Sequence, residues 1–259
     1  MAGLRAELQG IRAVAFDLDG VLYEAKTPIL GAARTVAAVR GAGLQVRFVT
    51  NISSLSRRLI VEKLDRLGFQ ASPEEVFCPA RVAVAWLRRQ GASASFFVPS
   101  PALEDFEGVP QDDERPDAVV IGDLGAGWTF ESLNRAFRLV HDRGARLVSL
   151  GRTRYRRGPH GLQLDVGAFL VAIEHATGKD ALVFGKPEPA FFAAVVEGLG
   201  EPAGSTAMIG DDIVTDVGAA MTVGLVGVLV RTGKFRSHDL SGPVRPDLVV
   251  DSVSDLFTD

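Results

Sequence analysis

Short apolar runs that end in a polar residue recur along this chain. Ala13-Val14-Ala15-Phe16 runs into Asp17, and Gln45 to Val49 runs into Thr50-Asn51. Ala181 to Phe184 ends in Gly185-Lys186-Pro187, and Ala207-Met208-Ile209 ends in Gly210-Asp211-Asp212. Runs of this length, rich in valine and alanine and bounded by turn residues, read as buried strands. Between them lie segments of helical period. One spans Gly31 to Gly43; another carries apolar residues at Leu55, Leu59, Ile60, Leu64 and Leu67 and is stopped by Gly68. Further strands are predicted at Gly224–Val230 and Leu248–Val250, a helix over Pro189–Leu199 and a short one over Asp216–Met221.

The middle of the chain repeats the alternation on its own account. It predicts a helix over Ala80–Gln90, a strand over Ser95–Pro99, an acidic linker over Glu104–Asp117 and a strand over Ala118–Ile121. A helix over Phe130–Arg143, a strand over Arg146–Leu150, an arginine-rich loop and a helix over Val166–Thr177 complete it. The fold class expected is therefore α/β: a doubly wound parallel-sheet core with an inserted smaller α/β domain. The expected boundaries are 1–76 and 180–259 for the core and 77–179 for the insertion.

Parallel strands joined by helices place all four polar endings at one edge of the sheet, the edge where open α/β sheets bind ligands. Asp17 and Asp19 are two residues apart and face the same side of an extended or tightly turning segment. Two carboxylates so close repel unless a cation lies between them or one is protonated. The crevice would hold this pair, a hydroxyl and an amide from Thr50 and Asn51, Lys186, and a second acidic group of Asp211, Asp212 and Asp216. A cation and a lysine that neutralise phosphate oxygens, donors that hold them and a carboxylate that accepts the group make a phosphoryl-transfer site. No GxxxxGK[ST] is present, which excludes a P-loop enzyme.

Asp17-Leu18-Asp19-Gly20-Val21-Leu22, Thr50-Asn51, Gly185-Lys186-Pro187 and Gly210-Asp211-Asp212 with Asp216 resemble, in order and position, the four motifs of the haloacid dehalogenase superfamily. The resemblance spans nearly the whole chain and points to subfamily IIA, whose α/β cap lies between the second and third motifs of a Rossmann-like core. Flanking stretches are similar to the phospholysine phosphohistidine inorganic pyrophosphate phosphatase group. They are Val46 to Asn51, Gly161 to Gly167, Met208 to Val214 and Val230 to Arg236.

The resemblance implies a Mg²⁺-dependent phosphatase with Asp17 as nucleophile, forming an aspartyl-phosphate, and as metal ligand. Asp19 would be the general acid/base and give the metal its backbone carbonyl, and Asp211 would be a metal ligand. Thr50, Asn51 and Lys186 would hold phosphate, with Asp212 and Asp216 in support. Some members of that phosphatase group have serine at the position of Asp19; the acid here favours phosphoesters, whose leaving alkoxide needs a proton. The expected partner is a small phosphorylated metabolite or pyrophosphate, and the resemblance allows homodimers through the cap. A phosphotransferase or mutase on the same scaffold, or a non-catalytic regulatory binding protein, are the alternatives.

Composition narrows the rest. At 259 residues the chain is long enough for two cores, and 47% hydrophobic with 23% charged residues is ordinary for a globular protein. A net charge of -4 without a basic run argues against nucleic-acid binding. One cysteine, Cys78, excludes an internal disulfide framework, and with no secretory or membrane-spanning pattern a cytoplasmic location is expected. Cys78, Trp86, Trp128 and Phe130 read as packing residues. His141, His160, His175 and His238 lack metal-ligand spacing. In the loop Arg152 to His160, Arg154 and Arg156, with Asp165 after it, are candidates for reading the leaving group. Asp123 reads as a turn or helix cap, and Arg231 to Arg236 is expected to close the rear of the site or the surface, with no chemistry assigned to it.

Overall fold

The computed structural model describes residues 3–158 and 161–258 of the chain, except for the side chain of Arg157. In chain order its principal strands are β1 (Ala13–Asp17), β2 (Gln45–Val49), β3 (Val76–Phe77), β4 (Ala94–Phe97), β5 (Ala118–Ile121), β6 (Arg146–Ser149), β7 (Leu182–Val183), β8 (Thr206–Gly210), β9 (Val226–Val230) and β10 (Leu248–Val250). The chain divides into two compact units. The first is Met1–Thr50, Ile60–Phe77 and Lys186–Asp259; the second is Asn51–Leu59 and Cys78–Gly185.

The first unit is built on a six-stranded parallel sheet in the order β10-β9-β8-β1-β2-β3. Every residue of β1 and β8 is buried, as strands covered on both faces must be, and neither sequence alternates. From β1 the chain builds outward to β2 and β3, then returns to the other side of β1 to lay down β8, β9 and β10. The switch in direction falls between β1 and β8, and a crevice opens at the carboxyl ends of such neighbours. The α/β, doubly wound reading of the sequence is the fold observed.

Helices cover this sheet through the expected periodic faces. Ala32, Val36 and Val39 are the buried apolar positions of Ala32–Gly41, and Phe191, Phe192, Val195 and Leu199 those of Pro189–Leu199. The second of these starts with proline in its first turn and stops at Gly200 (φ 67°), which takes the left-handed conformation that closes a helix. Its Gly198 lies so close to Phe77 that a Cβ there would overlap the ring.

The second unit has its own parallel sheet, β7-β6-β5-β4. Its core joins Val119, Ile121 and Leu147 of the sheet to Ala136, Leu139 and Val140 of helix Phe130–His141 and to Leu170 and Ile173 of helix Val166–Thr177. Trp128 lies flat between Phe97 and Phe169, with ring centroids 5.9 and 5.0 Å away. Phe130 differs from its expected packing role. It is the residue that follows the Thr129 N-cap, it points outward, and it is 78% exposed.

Residues 51–59 group with this unit, and hydrogen bonds and an ion pair tie them to it. Ser56 Oγ donates to Glu104 at 2.8 Å, and Asp105 accepts from the Arg57 backbone N–H at 3.0 Å and from Nε at 3.1 Å. The arginine-rich segment expected as a loop is instead an antiparallel hairpin, Tyr155–Gly158 with Gly161–Leu164, in which Tyr155 pairs with Leu164. No helix among the described residues is long and apolar enough to cross a membrane.

Candidate active site

β1 delivers Asp17 at its last residue, and β8 delivers Asp211 just beyond Gly210. Asp212 then turns the chain: its Oδ1 accepts from the backbone N–H groups of Val214 and Thr215 at 3.0 and 2.9 Å. That cap starts the wide turn Ile213–Gly218 and swings Asp216 back beneath the strand end. Gly210 makes the return possible, because a Cβ there would overlap the Asp216 side chain. Local capping chemistry thus separates two neighbouring acids: Asp212 serves the backbone and Asp216 serves the cluster.

The cluster is a buried group of three carboxylates. Oxygens of Asp17, Asp211 and Asp216 lie within 4.8 Å of one another. Lys186 Nζ sits 2.5 Å from Asp17 Oδ1 and 2.6 Å from Asp216 Oδ1, and Asp216 Oδ2 accepts from the Asp212 N–H at 3.3 Å. All four side chains are buried. Burial pushes the Asp17 carboxyl up to about 6 against the pull of Lys186, with the Asp216 charge adding to the rise. Burial likewise pushes Asp211 up to about 7, helped by the charges of Asp17 and Asp216. Burial alone would lower Lys186, but Asp17 and Asp216 together hold it above the usual ammonium range.

One lysine against three carboxylates leaves an excess of negative charge in a buried space. Asp211 Oδ1 is buried without a hydrogen-bond partner among the described residues. An all-oxygen donor set with such an orphaned acceptor fits a hard divalent cation such as Mg²⁺.

Asp19 behaves differently from Asp17. Its side chain is exposed and outside the three-carboxylate group, and Oδ1 accepts from the Ala25 N–H at 3.3 Å. Gly20 follows at φ 89°, where the chain reverses so that its N–H reaches the Tyr23 carbonyl at 2.7 Å. The flap is a small antiparallel pairing of Tyr23–Glu24 with Thr27–Pro28. Thr50 is buried at the end of β2, its N–H donating to the Phe77 carbonyl at 3.0 Å. Asn51 belongs to the second unit.

The sequence reading assigned no role to Tyr23 and left the loop after β9 between the rear of the site and the surface. Tyr23 is fully buried and Lys63 Nζ lies 4.0 Å over its ring, while burial and the charges of Asp19 and Asp17 raise its phenol. The loop after β9 also belongs to the site, since the Lys234 backbone N–H donates to Asp211 Oδ2 at 2.7 Å. Burial lowers the Lys234 ammonium, but Asp211, Asp216, Asp17 and Asp212 hold it above its usual range. A Thr-Gly-Lys directly after a predicted strand was the available signal.

In the second unit, Asp123 Oδ1 accepts from the Gly125 N–H at 3.2 Å and its Oδ2 lies 2.9 Å from Arg156 Nε. Arg152 pairs with Glu174 at 2.6 Å, and Arg154 is exposed. Asp165 is the N-cap of helix Val166–Thr177, its Oδ1 accepting from the Val166 N–H at 2.6 Å, and burial raises its carboxyl. His160 and the Arg157 side chain lie outside the described residues.

Comparison with known proteins agrees with this geometry. Residues 14–107 match the haloacid dehalogenase-like hydrolase family model, and residues 183–256 match a second, HAD-hydrolase-like model. The chain is 40% identical to rat phospholysine phosphohistidine inorganic pyrophosphate phosphatase, over 98% of this chain and 96% of the relative. It is 38% identical to human haloacid dehalogenase-like hydrolase domain-containing protein 2, over 90% and 89%. Among solved structures it superposes on 4-nitrophenylphosphatase from Thermotoga maritima with a TM-score of 0.90 and 28% identity, covering 97% of this chain and 98% of that one. With the matches running through both strand ends that carry the buried carboxylates, the chain belongs to the haloacid dehalogenase superfamily, as a hydrolase of its phosphatase branch.

Proposed function

We propose that this phosphatase is Mg²⁺-dependent and hydrolyses a small phosphorylated metabolite, pyrophosphate included, through an aspartyl-phosphate on Asp17. The observation that carries the reading is the buried Asp17–Lys186–Asp216 bridge with Asp211 Oδ1 left unpartnered beside it. Asp17, Asp211 and Asp216 would hold the cation, whose contribution is to neutralise charge on the transferring group.

Lys186 holds Asp17 in place and supplies positive charge where phosphate oxygens arrive. Asp17 attacks phosphorus in line with the leaving oxygen; the bond to that oxygen breaks and Asp19 gives it a proton. Water then attacks the phosphoryl group, passes its proton to Asp19, and phosphate departs with Asp17 restored. The exposed Asp19 side chain is suited to exchanging protons between these steps. Its carboxyl favours esters, whose alkoxide leaving group requires a proton, over the phosphoramidates named for the rat relative. Thr50 and Asn51 are proposed to donate to phosphate. The second unit is proposed to act as the cap, with Arg154, Arg156 and Asp165 reading the leaving group.

The test is phosphate release from a panel of small phosphate esters, pyrophosphate and phospholysine, with Mg²⁺ or EDTA, for wild type and Asp17→Asn. Release that needs Mg²⁺ and falls on the order of 10⁶-fold in the variant is expected, the scale on which loss of a nucleophile acts. Turnover that survives in Asp17→Asn overturns the nucleophile, and isomerised product without free phosphate makes the protein a mutase.

A further inference from the structure

The acidic cluster depends on a loop that lies outside the four recognised motifs. Asp211 enters the site between two glycines, Gly20 after β1 and Gly233 after β9. Both have positive φ, 89° and 62°, and a Cβ on either would overlap the Asp211 carboxylate. A Cβ on Gly233 would also come within 2.7 Å of Gly20 Cα. Three hydrogen bonds fasten the loop: Lys234 N–H to Asp211 Oδ2 at 2.7 Å, Thr232 Oγ1 to the Gly20 carbonyl, and Gly233 N–H to Glu24 Oε1 at 3.2 Å. One oxygen of Asp211 is thereby fixed on a backbone donor, and the other, Oδ1, is left buried and unpartnered.

We propose that Thr232-Gly233-Lys234 is a positioning element that clamps Asp211 through its backbone, so that Oδ1 is presented to a divalent cation. The inference rests on the cation site proposed above. Ligating carboxylates are themselves held by hydrogen bonds, and losing such an outer partner costs about 10–100-fold in metal affinity. The essential parts are the missing side chain at 233 and the N–H of 234. The Lys234 ammonium is no part of the clamp: it lies 3.9 Å from Asp212 Oδ2 and its positive charge opposes a bound cation.

The test is Mn²⁺ binding to the purified full chain, followed by electron paramagnetic resonance without substrate, with a melting curve in EDTA for each variant. Mn²⁺ takes the same oxygen ligands as Mg²⁺ and is visible to the method. Gly233→Ala is expected to weaken Mn²⁺ by about 10–100-fold. Thr232→Val, which keeps shape and removes only the bond to Gly20, should weaken it by roughly threefold to tenfold while melting close to wild type. Lys234→Ala retains its N–H and should bind as tightly as wild type or more tightly. If Gly233→Ala does not fold, Thr232→Val decides. Wild-type affinity in a folded Gly233→Ala, or in Thr232→Val, overturns the clamp, as does a loss in Lys234→Ala equal to that in Gly233→Ala. Absence of Mn²⁺ binding to wild type instead overturns the cation site on which the clamp rests, separating the two failures.

Discussion

Replacing Lys186 with methionine removes the cation that holds the cluster together and substitutes an apolar chain of similar length. In the native protein Nζ lies 2.5 Å from Asp17 and 2.6 Å from Asp216, and the three side chains are 5%, 9% and 2% exposed, so water screens these contacts little. At these separations each contact has a Coulomb energy of roughly 6–7 kcal/mol at the effective dielectric of about 20 that suits such sites, before the cost of desolvation. Removing one partner of a buried pair costs about 3–5 kcal/mol, since the stranded charges remain. At about 2–4 °C per kcal/mol for a domain of 150–250 residues, the melting temperature should fall by roughly 6–20 °C in EDTA at pH 8.

The stranded carboxylates can escape by taking up a proton, which costs about 1.4 kcal/mol less for each unit the pH is lowered. The loss should therefore shrink at pH 6. Lys186 itself titrates well above this range and stays charged throughout. Mg²⁺ at pH 8 should restore part of the loss by supplying positive charge to Asp17 and Asp216. Calorimetry of wild type and Lys186→Met at the two pH values, with and without Mg²⁺, makes the measurement. A fall under about 2 °C at pH 8, below what one kcal/mol produces, would mean that Lys186 is not what balances these carboxylates. A fall that does not change with pH would mean the same.

Asp17 at about 6 and Asp211 at about 7 both lie above the ordinary 3.8, so without a cation the folded chain binds more protons than the unfolded one between those values. Their contribution to stability is then lost as pH rises through that window and is missing above it. Mg²⁺ displaces these protons, so the rise in melting temperature it causes should be larger at pH 8 than at pH 5.5; equal rises at both would refute the assignment. Away from the site, Gly198→Ala should cost about 1–3 kcal/mol through overlap with Phe77, read as an earlier urea midpoint, while Mn²⁺ affinity stays at the wild-type value.

Much of this site is legible in the sequence because strand ends are legible. Ala13 to Phe16 is apolar on both faces, and the first residue that cannot be buried without a partner, Asp17, marks where the strand meets the crevice. Phe48-Val49-Thr50 and Met208-Ile209-Gly210-Asp211 repeat the logic on the neighbouring strands. The division of labour between Asp212 and Asp216 is not legible, because it depends on which carboxylate caps the turn and which is carried round it. The hairpin at Tyr155–Gly158 and Gly161–Leu164 escaped for a related reason. Its arginines pattern like a solvated loop, and its exposed Tyr155, Leu162 and Leu164 lack the buried face by which strands are recognised. The proposed Asp211 clamp lies deeper still, since its parts are a backbone N–H and a missing Cβ, neither of which has a hydropathy.

The same reasoning explains why the carboxylates are gathered at this place in the sheet. A group of three buried acids beside one lysine is costly on its own, and hydrogen bonds could have relieved it by satisfying every oxygen. Asp216 Oδ2 accepts from the Asp212 N–H, and its Oδ1, without a hydrogen-bond partner among the described residues, is ion-paired with Lys186. Asp17 shares the lysine, and only half of Asp211 is satisfied. Among the described residues Asp211 Oδ1 has neither a hydrogen bond nor an ion pair, and Asp211 follows β8 at the switch point between β1 and β8, the place where open α/β sheets bind ligands. On the proposed reading, Asp211 Oδ1 is the oxygen a cation would take, and the proposed clamp on Oδ2 is what would fix that choice.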